Sequence, residues 1–184
     1  MNFLEEKGIT IRQKGENIQL NAAEICAALN FYKPRDAYCL LGVTNTDIYP
    51  RPEWDFVFGY ANIGARTGVF SFARYDPTDA CPEPAHTWFT QSTYVMVHEI
   101  AHMFGLSHCP YYECVMNGIM SADEGRRQKQ GGSLCAICLR KLQLNVQFDV
   151  ADRYENLLKV CEKLGFAEEL TVYKDLLTKS KQDF

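Results

Sequence analysis

The chain has 184 residues, of which 47% are hydrophobic and 23% charged, as expected of one globular domain with a sizeable core. Its formal net charge of −4 lacks the basic excess of proteins that bind nucleic acid or anionic membranes, so no partner of either class is expected. The N-terminus shows no signal-peptide pattern, and no apolar run reaches the ~20 residues that span a bilayer. We therefore expect an intracellular protein, in the cytoplasm or nucleus, with its cysteines held as thiols.

The first half is predicted to combine one helix with short strands. Within residues 9–30 the firmest helical part follows Asn21, which has the spacing of an N-cap with Glu24 as its partner three residues on. Lys33 precedes a proline and therefore ends the helix, because a residue before proline avoids helical backbone. Apolar runs short enough to be strands follow, with a turn predicted at 44–47: 37–43, 56–61 and 68–75.

The second half is predicted to be mainly helical. A loop with three prolines, residues 76–84, leads into a helix from about Thr87 to Phe104. Helical spacing of apolar residues then predicts three C-terminal helices, with Gly165 as the stop between the last two: 140–147, 149–164 and 167–179. We interpret these last helices as packing elements without chemistry.

Three of the four histidines lie in one motif, H-E-x-x-H-x-x-G-x-x-H, which spans residues 98–108. His98 and His102 are four residues apart on the predicted helix and project from one face, where two neutral imidazoles can bind one Zn²⁺. Gly105 tolerates the left-handed backbone that ends a helix, so the chain can turn and bring His108 back as a third ligand. Three protein ligands leave one position for water, which is typical of a catalytic zinc.

Glu99 supplies the remaining group that such a site needs. It lies three residues before His102, where its carboxylate can act as general base on the zinc-bound water without being a ligand. A bare H-E-x-x-H also occurs by chance on amphipathic helices. A glycine and a third histidine at the required offsets make chance improbable in a chain with four histidines.

Four of the eight cysteines form a second candidate zinc site. Cys109 and Cys114 are close in sequence, Cys135 and Cys138 form a C-x-x-C pair, and two such pairs commonly hold a structural zinc. Cys109 directly follows His108, so this site would fix the turn that presents the third histidine. Two alternatives stay open: a redox-active C-x-x-C pair, which lacks a thioredoxin-like context, and disulfides, which the expected compartment disfavours. We therefore expect two zinc ions per chain.

Together these motifs resemble those of the archaemetzincins, a branch of the metzincin zinc metallopeptidases that carries a Cys₄ zinc beside the catalytic one. Met116 stands two residues after Cys114, where the family has its Met-turn, a methionine floor beneath the histidines; Met120 is a rival candidate. The resemblance extends over at least residues 36–142, because two strand segments also match: 40–44 and 56–59.

The resemblance implies an α+β fold, with a mixed twisted sheet, an active-site helix, a Cys₄ zinc subsite and C-terminal helices. It implies a single metallopeptidase domain over 1–184, in which 1–108 carry the sheet and active-site helix and 109–184 the Met-turn, the Cys₄ subsite and the last helices. Residues 68–75 are predicted to be the edge strand, to which an extended peptide could pair by main-chain hydrogen bonds.

The expected function is zinc-dependent hydrolysis of peptide bonds in a peptide or protein substrate, by a protein that acts as a monomer. Whether it would be an endopeptidase or an aminopeptidase is undecided by the sequence. The alternative is a catalytically weak or inactive, zinc-stabilised peptide-binding or scaffold protein. The intact Glu99 argues against that alternative, because zinc retention does not require a base at this position.

Overall fold

The structure, a computed structural model, describes residues 6–75, 85–118 and 132–181. The chain divides into two compact units, Met1–Gly105 and Leu106–Phe184. None of the helices within the described ranges is long and apolar enough to cross a membrane. The predicted proline-rich loop at 76–84 lies outside the described residues.

The described residues of the first unit form two three-stranded sheets. Its strands, in chain order, are β1 (Ile11–Lys14), β2 (Asn17–Asn21), β3 (Leu40–Thr44), β4 (Asp47–Tyr49), β5 (Gly59–Asn62) and β6 (Thr67–Ser71). In the first sheet β2 lies between β1, to which it is antiparallel, and β4, to which it is parallel. In the second sheet β6 lies between β3, to which it is parallel, and β5, to which it is antiparallel.

Five helices lie within the described ranges: α1 (Ala22–Tyr32), α2 (Ala85–Met103), α3 (Ala136–Val146), α4 (Val150–Leu164) and α5 (Ala167–Ser180). With the two mixed sheets they confirm the predicted α+β class. The helix predicted at about Thr87–Phe104 is α2, and the three predicted C-terminal helices are α3, α4 and α5.

Helices α1 and α2 both pack against the second sheet. The reason is visible in β6, where the neighbouring residues Val69 and Phe70 are 1% and 0% exposed. Successive side chains of a strand point to opposite faces, so both faces of this strand are covered. The buried core cluster of the unit joins α1, the strands and the segment before β1 through apolar side chains, among them Ile9, Leu20 and Ile25.

The predicted edge position of residues 68–75 is wrong. The strand in this region, β6, is the centre of its sheet, and the edges are β3 and β5. In the sequence, Phe70 and Phe72 alternate with the smaller Ser71 and Ala73, a pattern typical of a strand buried on one side, but β6 ends at Ser71 and Phe72 lies beyond it. Pairing with β3 on one side and β5 on the other places β6 inside the sheet, and burial of both Val69 and Phe70 shows that both of its faces are covered.

Two elements of the first sheet were not predicted. Residues 9–20, expected to lead into the helix, contain the hairpin β1–β2, in which Gly15 turns the chain with a φ of +61°. The predicted turn at 44–47 is shorter than expected, because β4 begins at Asp47. The hairpin was missed because β1 is almost entirely polar, and because the alternation of Ile18 and Leu20 in β2 is too short to separate a strand from the helical segment that follows.

The start of α1 confirms Asn21 as the N-cap, but the predicted partner Glu24 does not bond back to Asn21, whose N–H donates to the Thr10 carbonyl oxygen at 3.0 Å. The Asn21 side chain accepts hydrogen bonds from the backbone N–H groups of Ala23 (3.0 Å) and Glu24 (3.2 Å), as an N-cap does. The Glu24 carboxylate accepts hydrogen bonds from the N–H (2.6 Å) and hydroxyl (2.9 Å) of Thr10. Glu24 therefore fastens the segment before β1 to the helix.

In the second unit, α4 and α5 form a helical hairpin. Gly165 ends α4 in the left-handed conformation, with a φ of +74°, which confirms the predicted stop. The rings of Tyr154 and Tyr173 pack across the hairpin with centroids 5.9 Å apart. The Tyr173 hydroxyl also donates to the Gly132 carbonyl oxygen at 3.2 Å, which fixes the hairpin to the segment that precedes α3.

Candidate metal centres

Helix α2 presents two histidines on one face. The Nε2 atoms of His98 and His102 are 2.9 Å apart, and their ring planes are perpendicular, with centroids 4.5 Å apart. This proximity follows from the i, i+4 spacing on a helix. His98 is buried and His102 half-buried, so the pair lies at the boundary between the buried and the exposed side of α2.

Gly105 ends the helical turn that follows. Its N–H donates to the His102 carbonyl oxygen at 2.8 Å, and its φ of +86° lies in the left-handed region, as predicted for the residue that turns the chain. After this turn the chain reaches His108. His98, His102 and His108 each offer a ring nitrogen, and these three atoms all lie within 4.8 Å of one another.

Glu99 lies on α2 beside His98 and is only 8% exposed. Burial raises the pKa of its carboxyl group to about 8, since an apolar environment disfavours the charged form. The same carboxylate adds to burial in raising the pKa of two neighbouring groups, the Cys26 thiol and the Tyr75 hydroxyl. Glu99 is therefore an acidic group held inside the first unit, next to the histidine pair.

The four cysteines predicted as ligands converge in the second unit. The sulfur atoms of Cys109, Cys114, Cys135 and Cys138 all lie within 4.8 Å of one another, and none of the four is in a disulfide. Three are buried and Cys135 is half-buried. The Cys114 sulfur accepts hydrogen bonds from the N–H groups of Cys135 (3.3 Å) and Met116 (3.5 Å), so backbone donors face the cluster.

Asn117 holds the loop between the first two cysteines and the segment after it. Its amide nitrogen donates to the carbonyl oxygens of Cys109 and Tyr112, and its amide oxygen accepts from the N–H of Cys114 at 3.0 Å. The Cys109 N–H donates to the Met116 carbonyl oxygen at 2.8 Å, which closes the same loop. One side chain thus fixes the spacing of the first cysteine pair.

The donor chemistry of both groups fits zinc. The first group offers three imidazole nitrogens, which are typical ligands of a catalytic zinc. The second group offers four cysteine sulfurs, which are typical ligands of a structural zinc. The backbone N–H of Tyr111 lowers the pKa of the Cys109 thiol to about 7, since it stabilises the thiolate that a metal binds. No disulfide joins these cysteines, so the disulfide alternative finds no support among the described residues.

Residues 37–144 match the family model for Peptidase family M54, which covers more than half of the chain. This chain belongs to Peptidase family M54. The resemblance to the archaemetzincins that the motifs predicted is confirmed by this match together with the curated relatives of the chain.

Among curated relatives, Archaemetzincin-2 of Mus musculus is 35% identical, in a match that covers 81% of this chain and 48% of the relative. Archaemetzincin-1 of Homo sapiens is 34% identical and is matched over 77% of this chain and 34% of its own length. The chain therefore spans about half of the curated relatives it matches, or less.

Solved archaemetzincin structures share the fold. The archaemetzincin from Methanopyrus kandleri is 32% identical and superposes with a TM-score of 0.59, over 71% of this chain and 67% of that chain. The archaemetzincin from Archaeoglobus fulgidus, solved in complex with malonate, is 31% identical with a TM-score of 0.53, over 67% of this chain and 69% of that chain.

Some residues at the centres were given no role by the sequence. Asn117 and Gly118 form an Asn-Gly pair, which is a turn signal, directly after Met116. A Cβ at Gly118 would lie 3.3 Å from Nδ1 of His108, so the backbone at Gly118 runs close beside that ring.

Met116 is fully buried, and its predicted role as the floor beneath the histidines remains a prediction. The rival Met120 lies outside the described residues.

Proposed function

We propose that this protein hydrolyses peptide bonds in a zinc-dependent reaction. The observation that carries the proposal is that one ring nitrogen from each of His98, His102 and His108 lies within 4.8 Å of the others, beside the buried acid Glu99. Membership of Peptidase family M54 supports it. The substrate is accordingly a peptide or protein.

The three histidines and the glutamate of the motif at 98–108 each have a distinct role in the proposal. His98, His102 and His108 hold the catalytic zinc, which when bound polarises the peptide carbonyl and makes water more acidic. Glu99 accepts a proton from the attacking water as its oxygen bonds to the carbonyl carbon. Glu99 then gives that proton to the leaving nitrogen as the carbon–nitrogen bond breaks.

The four cysteines hold a second, structural zinc in the proposal. Their convergence in the second unit, with backbone N–H groups directed at the Cys114 sulfur, supports this role. A four-thiolate site is closed to water and so stabilises the loop without taking part in hydrolysis. Because Cys109 follows His108 directly, the structural zinc fixes the segment that carries the third histidine.

The strand that would pair with an extended substrate is β5 rather than β6. Among the described residues β6 is the only strand that pairs with β5, so the other edge of β5 could form main-chain hydrogen bonds with an extended peptide. Its first residue, Gly59, lies directly against Glu99. An extended peptide along β5 would therefore pass close to the proposed general base.

The test is a peptide library incubated with zinc-loaded wild type and with Glu99→Gln, each with and without a chelator. We expect chelator-sensitive cleavage by wild type, and a loss of about 10²–10⁴-fold in the variant at unchanged zinc content. Glutamine keeps the size of the side chain but cannot accept the proton. Cleavage by Glu99→Gln at the wild-type rate would refute the proposed role of Glu99.

The same assay separates the enzyme from its alternative. Peptides retained by the wild-type protein without any product would favour a zinc-stabilised binding or scaffold protein. The positions of the cuts, at internal bonds or one residue from the N-terminus, decide between an endopeptidase and an aminopeptidase.

A further inference from the structure

The backbone conformation at position 59 does not require a glycine. Gly59 begins the edge strand β5, opposite Phe70 of β6, and its φ lies outside the left-handed region that favours glycine. Glycine weakens a strand, because it loses more conformational freedom on folding than other residues. Some neighbour of Gly59 must therefore account for the missing side chain.

That neighbour is Glu99. A Cβ built on Gly59 would lie 2.3 Å from Cγ, 2.7 Å from Cδ and 2.9 Å from Oε1 of Glu99. All three distances are shorter than the 3.0 Å below which real Cβ atoms essentially never approach another atom. The space that a side chain at position 59 would fill is already occupied by the Glu99 side chain.

The strand is the more rigid side of this contact, and the Glu99 side chain has little room to move. Strand β5 is fixed by its antiparallel pairing with β6, and the N–H of Ser71 donates to the carbonyl oxygen of Phe58 at 2.8 Å, next to Gly59. Helix α2 packs against β5, and Glu99 is only 8% exposed. A side chain at position 59 would therefore displace the carboxyl group of Glu99 rather than the strand.

We infer that Gly59 is a positioning residue, which keeps Glu99 in place by leaving open the space that its side chain occupies. The catalytic consequence of this contact rests on the proposed function, whereas the packing of Gly59 against Glu99 does not. The other glycines of the second sheet differ, since a Cβ at Gly42 or Gly68 would first meet apolar side chains.

The packing is tested by a double-mutant cycle on the thermal unfolding of the zinc-loaded protein. Gly59→Ala should lower the midpoint by roughly 3 °C or more in an otherwise wild-type chain. In a Glu99→Ala chain, which lacks the three atoms in question, the same substitution should change the midpoint by less than about 1 °C or raise it. Gly64→Ala is the matched control, because its Cβ would meet only the Asn62 amide oxygen at 3.6 Å.

Each outcome of the cycle decides the inference. An equal fall in both backgrounds, or no fall in either, would overturn it. If Gly59→Ala alone does not fold, folding of the double variant Gly59→Ala/Glu99→Ala supports the inference, and failure of both overturns it. Gly64→Ala should behave alike in the two backgrounds.

The catalytic consequence has its own readout. Gly59→Ala should lower kcat by about 10–100-fold, since displacement of a catalytic group by about 1 Å has this effect, while KM and zinc content stay within about twofold of wild type. An unchanged kcat would overturn this part. If wild type cleaves no peptide at all, the proposed function fails, and the unfolding cycle still decides whether Gly59 positions Glu99.

Discussion

The two candidate metal centres are assembled in different ways. His98 and His102 stand on consecutive turns of a single helix, which places both side chains on one face, and their Nε2 atoms are 2.9 Å apart. Three of the four cysteines lie outside regular structure, and only Cys138 stands on a helix. Their convergence depends on hydrogen bonds to neighbouring backbone and on the Asn117 side chain.

This difference predicts that the two centres tolerate damage unequally. A helix keeps its shape when one ligand is lost, because every turn is held by its own hydrogen bonds. A site whose ligands come from separate loop segments loses part of its conformation with the ion, since metal binding and folding are then coupled. Loss of a histidine should therefore affect only the histidine centre. Loss of a cysteine should also disrupt the loop around the cysteine centre.

The largest contrast is expected between Cys138→Ser and His102→Ala. The cysteine variant should lose its structural zinc and on the order of 3 kcal/mol or more of the free energy of unfolding, because the loop loses its ion. The histidine variant should lose only the catalytic zinc and stay within about 2 kcal/mol of wild type. Zinc per chain and chemical unfolding measure both quantities.

Equal stability losses in these two variants would contradict the comparison. So would a Cys138→Ser protein that keeps two zinc ions. Loss of the catalytic zinc from Cys138→Ser is compatible with it, because His108 is adjacent to Cys109 in the chain.

A smaller effect is expected from Asn117→Ala. This substitution removes the donor to Cys109 and Tyr112 and the acceptor for the Cys114 N–H, and it should cost about 1–3 kcal/mol of stability. Asn117→Asp keeps the acceptor and loses the donor, so it should fall between wild type and Asn117→Ala. Competition with a zinc chelator should show weaker binding at the cysteine centre; unchanged competition curves for both variants would mean that Asn117 does not hold the loop.

The smallest effect is expected from Gly118→Ala. Its Cβ would lie 3.3 Å from Nδ1 of His108, so the ring must shift by a few tenths of an ångström. Zinc affinity at the histidine centre should fall by about 2–10-fold, through a small loss of ligand orientation. The cysteine centre should be unaffected, and a loss of affinity at the cysteine centre instead would show that Gly118 acts through the loop.

The histidine centre, which is built on a helix, could be predicted from the sequence more fully than the cysteine centre, which is built on loops. The pairing of His98 with His102 and the turn at Gly105 depend on local backbone geometry, which the spacing of residues reveals directly. The two cysteine pairs were recognised by ligand spacing, but the hydrogen bonds of Asn117 that arrange them were not, because loop conformation is not periodic.

Contacts between distant segments were beyond prediction. Gly59 and Glu99 are 40 residues apart, and no local pattern indicates that they touch. The edge strand was misplaced for the same reason, because the pairing order of β3, β6 and β5 is a property of the whole sheet. Strand order and side-chain fit between elements are decided by long-range packing, to which the sequence of one segment contributes only part.

The most direct test of the account is anomalous diffraction at the zinc edge from crystals of the wild-type protein. We predict two peaks per chain. One should lie about 2.0–2.1 Å from a ring nitrogen of each of His98, His102 and His108 with one position left to water, and the other about 2.3 Å from the four cysteine sulfurs. A single peak at the cysteines, or a side chain in the fourth position at the histidines, would contradict the proposed hydrolysis.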